Sequence, residues 1–462
     1  MHKYILIGID SVDSYFGGCT THFSTYLIER ILKVHNGCII DYPRLIRLNP
    51  DIPWKTRGNG SVAIEALIPD NELDDFISWV KKFLHEYLVD EEFTPNTQPA
   101  IVILDGSRLN TSDYAYLYRF GIKALHRLIT LNEVESVWRR IYNAIILWYT
   151  PYGARGLIGA LSAIGNYLPN DHTYELLAYR NLSRRERNRG ICEYCINNII
   201  HESELDFAHY DLETNKTLIT PHGPDPVILG IRGNNPSIVL RLFYRISRAY
   251  KHIIKEVCER WIVYVTNQGT SEHLRVCLNP PLEVYSQGFI KGVIRDLTIL
   301  KGGHIKAMLE LDEKQVIHTL VYRESGGMRR ILLKLPQDTL AIIGGSTRMH
   351  DSELTLNAEL VKFNPPIIRR EELKPICPSC KSKMESLGYN RGYVCKKCRY
   401  HIYGKIDIIL SRNIWLPSII LPPYRSIKHV SKPLKRYGRE HRVRYKGLRS
   451  IKWFWIKDSQ DR

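Results

Sequence analysis

The sequence predicts a multidomain α+β protein, and three observations carry that prediction. The chain opens with a buried strand, Tyr4 to Ile9, then a polar loop and an amphipathic helix, which is α/β patterning. From Leu282 to about Val361 it turns to short strands with glycine turns, a run that suits an OB-fold β-barrel. Near its end stand Cys377-Pro378-Ser379-Cys380 and Cys395-Lys396-Lys397-Cys398. Two Cys-x-x-Cys knuckles make a thiolate tetrad for one structural Zn2+, and a tight two-hairpin ribbon can span the short gap between them.

The elements follow in order. The helix after the first strand runs from about Thr20 to Val34, with Phe23, Leu27, Ile28 and Ile31 on one face. An alternating strand (Val62, Ile64, Ala66, Ile68), an amphipathic helix near Glu72 to Leu88 and a strand from Ile101 to Leu104 come next. Pro151-Tyr152-Gly153-Ala154-Arg155-Gly156 is a plausible boundary. From there to about Leu274 strands and helices alternate over a length that suits a ferredoxin-like α/β sandwich. The barrel strands are expected at Gln287 to Arg295, Gly303 to Leu311, Val316 to Arg323 and Thr339 to Gly345.

Composition bounds the function. At 462 residues, with 44% hydrophobic residues, the chain is globular and long enough for about three or four domains. Its net charge is +17, and the stretch from Arg425 to Lys457 holds 12 Lys/Arg against one acid, Glu440. A positive surface of that kind suits a polyphosphate backbone, and Tyr437, Tyr445, Trp453, Phe454 and Trp455 among the cations suit base stacking. A basic, solvated surface without a partner is the plainer reading. No apolar run approaches membrane-spanning length. The opening apolar stretch is too short for a signal peptide and runs into Asp10, so we expect a reduced, cytoplasmic setting. Cys192-Glu193-Tyr194-Cys195 is a third pair whose role stays open.

Chemistry concentrates at the start. Gly8-Ile9-Asp10-Ser11-Val12-Asp13-Ser14 leaves two carboxylates at the end of a buried strand, and Gly17-Gly18-Cys19-Thr20-Thr21 follows at a helix start. Phosphoryl transfer needs both halves: carboxylates to hold Mg2+ on the phosphates, and small residues that let backbone N–H groups close on them. Asp13 as a turn former and Thr20 as an N-cap would explain the same residues without a ligand. In the run Asn49 to Gly60, Lys55 and Arg57 could neutralise phosphates, or simply belong to a surface loop. Thr266-Asn267-Gln268-Gly269-Thr270 is dense in amides and hydroxyls, fit to read base edges or to cap a helix.

Longer stretches carry a resemblance. The start of the chain and the run from Tyr42-Pro43-Arg44-Leu45 to Gly60 belong to it. So do Gly156-Leu157-Ile158-Gly159-Ala160 with Ala163-Ile164-Gly165, Thr173-Tyr174-Glu175-Leu176, Asp225-Pro226-Val227 with Gly230-Ile231-Arg232-Gly233, and Thr266 to His273. In that order, over nearly the whole chain, they resemble the archaeal 2-agmatinylcytidine synthetases that act on the minor, AUA-reading isoleucine tRNA. The resemblance implies an ATP-binding, kinase-like α/β catalytic domain (1–155), a ferredoxin-like domain (156–274), an OB-fold tRNA-binding domain (275–370), a zinc ribbon (371–405) and a basic tail (406–462). The activity it implies is an ATP-dependent ligase that joins agmatine to carbon 2 of the wobble cytidine through a phosphorylated cytidine, so that the base pairs with A.

The resemblance also implies roles. Asp10 and Asp13 hold Mg2+ and position phosphate, Gly17, Gly18 and Thr21 hold phosphate oxygens, and Thr20 matches a threonine that becomes phosphorylated. Lys55 and Arg57 stabilise charge. The partners are the isoleucine tRNA and agmatine, without a membrane, and the expected state is a monomer. Lys396, Lys397, Arg436, Arg442 and Arg444 are the candidates for tRNA phosphates. One departure stands out: the family reads Ile-Asp-Asp-Thr-Asp-Ser where this chain has Ile9-Asp10-Ser11-Val12-Asp13-Ser14, one carboxylate fewer. Two other readings remain: a non-catalytic OB-fold and zinc-ribbon nucleic-acid binder, which leaves the first half unexplained, and a related ligase using another amine or base.

Overall fold

The structure, a computed structural model, describes all residues except 14–16, 89–96, 182, 184–188, 190, 202–206, 208, 212–213, 215, 222, 249–255, 337, 364–367, 389, 405–409, 442–451 and 458–462. It divides into two compact units. One comprises Met1–Ile290, Gly344–Glu359 and Pro423–Arg462; the other comprises Lys291–Ile343 and Leu360–Pro422.

The first unit is built on one mixed sheet. β1 (His2–Asp10) is an interior strand, paired antiparallel with β4 (Gly60–Pro69) on one side and β5 (Ala100–Asp105) on the other, so that Ile7 faces Ile64 and Ile103. A strand buried on both faces needs apolar residues at successive positions, and β1 supplies them. Ile5, Ile7 and Ile9 join the core under α1 (Thr20–Lys33) and α2 (Leu73–Tyr87), while Leu6 joins the core on the opposite face. That second core holds α3 (Thr111–His126), α4 (Leu131–Ile141) and α5 (Gly156–Gly165). Gly8 lies directly under α5, where a Cβ would collide with the Ala160 carbonyl. The elements expected at 20–34, 72–88 and 101–104 appear with ends moved by a residue or two.

The sheet does not stop at the proline-glycine boundary. β3 (Arg44–Arg47) pairs with β4, and its other edge takes β11 (Arg260–Thr266) in parallel, Val265 opposite Arg44 and Thr266 opposite Leu45. β11 leads on to β7 (Thr173–Tyr179) and β10 (Val227–Gly233), both antiparallel. The main path is β10-β7-β11-β3-β4-β1-β5-β6, with β6 at Ile145–Tyr149 and the short β2 (Cys38–Ile39) also beside β4; β8 (Tyr210–Asp211) and β9 (Lys216–Thr217) pair apart from this sheet. The Thr266–Thr270 loop closes this seam. The Asn267 side chain accepts from the Arg47 N–H at 2.8 Å and donates to the Arg47 carbonyl at 2.9 Å. Its amide is used in this seam, while in the same loop Thr270 Oγ1 accepts from the Glu272 N–H at 3.3 Å at the start of the short turn Glu272–Leu274.

The barrel forms as expected and gains a strand. Gln287–Ile299, Ile305–Glu310, Val316–Val321 and Thr339–His350 are followed by Glu353–Lys362, which pairs back to the third strand and closes the ring. The sequence reading does not set this last strand apart, although Glu353-Leu-Thr-Leu-Asn-Ala-Glu-Leu-Val-Lys362 alternates polar and apolar residues with the period of a strand. The cysteine segment forms a small three-stranded sheet, Glu385–Ser386, Tyr393–Val394 and His401–Ile402.

The basic tail is where expectation and structure part. Residues 423–441 run across the first unit as a strap. Arg425 pairs with Asp211 at 3.1 Å, Lys428 with Asp51 and with Glu359, and Lys432 with Asp171 and Glu440. Against the cost of burial, Lys428 holds Asp51 well below the usual carboxylate range. Arg436 is wholly buried: it forks onto both oxygens of Asp171 at 2.8 and 3.2 Å and donates to Asn234 at 2.6 Å and to the Gly269 carbonyl. Arg436 is therefore no phosphate contact; counting charges along a sequence does not reveal which are already paired. Trp453, Phe454 and Trp455 likewise pack into the two cores, where Phe454–Ile456 adds a strand beside β11. Arg442, Arg444 and Tyr445 lie outside the described residues.

A buried pair broken on one side strands the other charge. Asp171→Ala is expected to cost about 3–5 kcal/mol in denaturant unfolding; a change within error would remove the Arg436 fork from the account of the tail.

Candidate active site

Beyond β1 the chain makes a tight return. Ser11 takes a left-handed conformation (φ 58°), Asp13 bridges to Gly18, and Gly18 (φ 70°) brings its backbone to the Val12 carbonyl, where a Cβ would stand 2.9 Å away. This return delivers Thr20 to the first position of α1 with its hydroxyl held at both sides. Thr20 Oγ1 accepts from the Val12 N–H at 3.1 Å and donates to Asp13 Oδ1 at 3.1 Å. A hydroxyl donating to a carboxylate is the arrangement of a nucleophile with its base. The carbonyls on either side of Thr20 are pinned by phenols: Tyr87 donates to the Cys19 carbonyl at 3.3 Å and Tyr264 to the Thr21 carbonyl at 2.7 Å.

Arg57 locks the return from outside. Its N–H donates to Asp13 Oδ2 at 3.0 Å, and its guanidinium donates to the carbonyls of Gly17 (3.2 Å) and Gly18 (2.8 Å) and to Asp225 (3.2 Å). The Gly17–Gly18 carbonyls thus face the arginine. Lys55 stands apart, its ammonium donating to the Ile52 carbonyl at 3.1 Å.

Asp10 sits deeper, against α5. It accepts from Ser61 at 2.9 Å and from Ser11 at 3.2 Å, and Gly159 is where α5 passes so close that any side chain would strike the carboxylate. Ser11, standing where the family has its second acid, serves as a hydrogen-bond donor to Asp10; Val12 is core. Burial pushes Asp10 up to about 7, with Ser61 opposing and the Asp13 charge adding to the rise. Burial also raises Asp13, against the pull of Arg57. Two neighbouring acids raised by burial are a donor set that a divalent cation would relieve.

Several of these groups border a cavity of about 370 Å³. Its lining includes Asp13, Thr20, Thr21 and Arg57 from the first part of the chain with Arg47, and Glu175, Asp225, Arg232 and His429 from later in it. Asp10, Gly17, Gly18 and Lys55 lie outside the lining. Glu175 is buried and accepts from Arg232 at 2.9 Å and from Gln268, with Arg47 at 3.8 Å. Glu175, Asp225 and Arg232 escape assignment from the sequence. For Glu175 and Arg232 the available signal is a lone charge within a buried strand (Tyr174-Glu175-Leu176, Ile231-Arg232-Gly233), since such charges persist only when paired or functional. His429 and Arg47 carry no such mark.

In the other unit the four cysteines converge: one thiol from each of Cys377, Cys380, Cys395 and Cys398 lies within 4.8 Å of the rest. Four thiolates at that spacing fit tetrahedral Zn2+. Lys396 is exposed and pairs with Glu385 at 2.8 Å; Lys397 is exposed beside it. Cys192 and Cys195 are joined to each other as a disulfide.

The chain matches the TiaS TCKD domain over residues 6–145, the TiaS FLD domain over 154–273 and the TiaS C-terminal zinc ribbon domain over 374–414. It is 33% identical to the isoleucine-tRNA 2-agmatinylcytidine synthetase TiaS of Staphylothermus marinus, covering 94% of each chain. It is 36% identical to that of Hyperthermus butylicus, covering 78% of this chain and 84% of the relative. A crystal structure of apo TiaS aligns with a TM-score of 0.73 at 28% identity, covering 94% of this chain and 97% of that one. One of TiaS in complex with its isoleucine tRNA, AMPCPP and agmatine aligns with a TM-score of 0.72 at 26% identity, covering the same shares.

Two measurements check the site. Cys395→Ser should cost bound zinc and, because structural zinc supplies folding energy, the order of the ribbon; a full zinc atom in that variant would refute the tetrad. For Asp10, a folded value near 7 against about 3.8 unfolded means the folded chain binds the extra proton. Its contribution to stability is then full below about pH 4 and is lost as pH rises through about 7. Asp10→Asn should unfold at a higher temperature than the parent at pH 8, with the gap closing toward pH 4; a pH-independent gap would contradict the buried acid.

Proposed function

We infer what this chain does from the family to which it belongs, the isoleucine-tRNA 2-agmatinylcytidine synthetases, TiaS: it is an ATP-dependent ligase that joins agmatine to carbon 2 of the wobble cytidine of the AUA-reading isoleucine tRNA. The observation that carries the chemistry is the Thr20–Asp13 pair, hydroxyl to carboxylate at 3.1 Å, on the wall of a cavity ringed by Arg47, Arg57 and Arg232.

A carbonyl oxygen is a poor leaving group. Phosphorylating the cytidine oxygen lets it depart as phosphate when an amine attacks carbon 2. The residues present divide that work. The γ-phosphoryl of ATP goes to the cytidine oxygen; Asp13 orients the Thr20 hydroxyl and accepts its proton as the Thr20 oxygen takes the second phosphoryl group, with AMP as the leaving group. The Val12 N–H holds the Thr20 oxygen in place, and the two phenols pin the backbone carbonyls on either side of it. The arginines face the polyphosphate and balance the charge that develops in transfer. Asp10 and Asp13 would hold Mg2+, which supplies charge neutralisation on the phosphates when bound. Lys55 is left to the approach of the tRNA. A wobble base lies in a loop, so turning it into the cavity breaks no base pair.

The barrel and ribbon grip the tRNA, with Lys396 and Lys397 at the phosphates and an affinity that falls as salt rises. No described helix is long and apolar enough to cross a membrane, and we place the reaction in the cytoplasm, where tRNA is matured.

Incubating unmodified isoleucine tRNA with the protein, ATP, Mg2+ and agmatine should add one agmatine to the anticodon loop by mass spectrometry, with release of AMP. Thr20→Ala should lower turnover by at least about a hundredfold, the scale of losing a positioned nucleophile or acid–base group, while tRNA binding stays near the parent value. Turnover at the parent rate in Thr20→Ala would remove that hydroxyl from the mechanism.

A further inference from the structure

The strap that follows the ribbon reaches the catalytic cavity. His429 lines it together with Thr20, although 409 positions separate the two in sequence. The residues around it are fixed at close intervals. Lys428 is held by Asp51 and Glu359, the His429 carbonyl accepts from the Gly269 N–H at 2.9 Å, the Val430 carbonyl accepts from the Ser271 N–H at 2.7 Å, and the Lys432 N–H donates to Ser271 Oγ at 2.7 Å. Arg436 anchors the far side in its buried fork. These contacts fix the backbone that carries His429, whose side chain stands exposed at the cavity.

Its tautomer is set as well. His429 Nδ1 lies 2.9 Å from Arg232 Nη2. A guanidinium only donates, so Nδ1 must be the acceptor, the ring is neutral, and the proton resides on Nε2. Arg232 is itself aimed by Glu175 at 2.9 Å. Among the described residues none accepts from Nε2. The chain therefore presents one oriented N–H donor in the wall of the cavity, built from Glu175, Arg232 and His429 in series, and unable to serve as a base while Arg232 occupies Nδ1.

We propose that residues 423–441 are a working part of the catalytic cavity and that His429, through Nε2–H, donates a hydrogen bond to an oxygen of the reacting groups. That oxygen belongs either to a phosphoryl group of the nucleotide or to carbon 2 of the cytidine. The assignment rests on the ligase reading above.

The test uses the full chain with His429→Ala and His429→Gln. Glutamine keeps an N–H donor and offers an amide oxygen to Arg232, so it restores what alanine removes. Two readouts separate the two oxygens: ATP affinity by titration without tRNA, and single-turnover modification of isoleucine tRNA at saturating ATP. His429→Ala should lose about tenfold in one of them, the scale of one hydrogen bond to a charged or developing oxygen, with His429→Gln recovering most of it and both variants unfolding at the parent's denaturant midpoint. A loss in ATP affinity assigns the phosphoryl oxygen; a loss confined to the single-turnover rate assigns the base oxygen. Parent-like values for alanine in both readouts would overturn the proposal. So would equal losses for alanine and glutamine accompanied by a lowered midpoint, which would mark His429 as structural alone. Should the parent itself leave isoleucine tRNA unmodified, the ligase reading falls, and the ATP titration by itself decides for or against His429.

Discussion

The pairing of β3 with β11 is the constraint on which the rest depends. It is short, two residue pairs in parallel register, and it joins two half-sheets whose own strands are mostly antiparallel. Parallel pairs form only through long connections, and here more than 200 residues lie between the two strands. Asn267 reinforces the seam by satisfying both backbone groups of Arg47, so a side chain stands in for the next rung of the ladder. Because the seam exists, a threonine on the first helix and a glutamate and an arginine on β7 and β10 can face one cavity.

Electrostatics in this unit follow one rule: charges taken from water are paired. Arg436 with Asp171, Lys428 between Asp51 and Glu359, Arg180 with Glu256 at 2.8 Å, and Arg44 with Glu65 are all buried or nearly so. Such pairs are weak sources of stability compared with apolar packing, but losing one partner is costly. They therefore act as registration marks, fixing where distant segments meet. Asp10 is the contrast. Its neighbours are hydroxyls and another acid, and burial raises its carboxyl, where Lys428, against burial, holds Asp51 and Glu359 lowered. An acid left without a cation in a fold that otherwise matches its charges stands out as the place reserved for something the chain does not supply.

What can be read in advance is whatever is local. The opening strand, turn and helix are legible because apolar periodicity and a small-residue turn occupy adjacent positions, and the zinc tetrad because its ligands come in two adjacent pairs. The Thr20–Asp13 contact spans seven residues and is within reach of a motif. Glu175, Asp225, Arg232 and His429 are not, since only the β3–β11 seam and the strap bring them to Asp13. The tail misleads for a physical reason: a run of cations and aromatic rings has the composition of a nucleic-acid arm whether or not acids elsewhere, such as Asp171, Asp211 and Glu359, have already claimed the cations. Trp453 to Trp455 have the look of stacking platforms and instead pack, half-buried, against the cores, because burial of rings depends on an open sheet edge that no sequence window contains.

That open edge has a consequence for how the molecule is made. Phe454–Ile456, which follow β11 by the whole length of the barrel and the ribbon, lie alongside it on the stretch that β3 leaves uncovered. Until they leave the ribosome, β11 presents unpaired backbone groups and an incomplete apolar layer, while the earlier strands have long since emerged. The nascent enzyme must hold its central seam half-dressed through the translation of the barrel and the ribbon. Chains cut short before Phe454 would keep that border of β11 unpaired, an exposed edge of the kind that promotes aggregation.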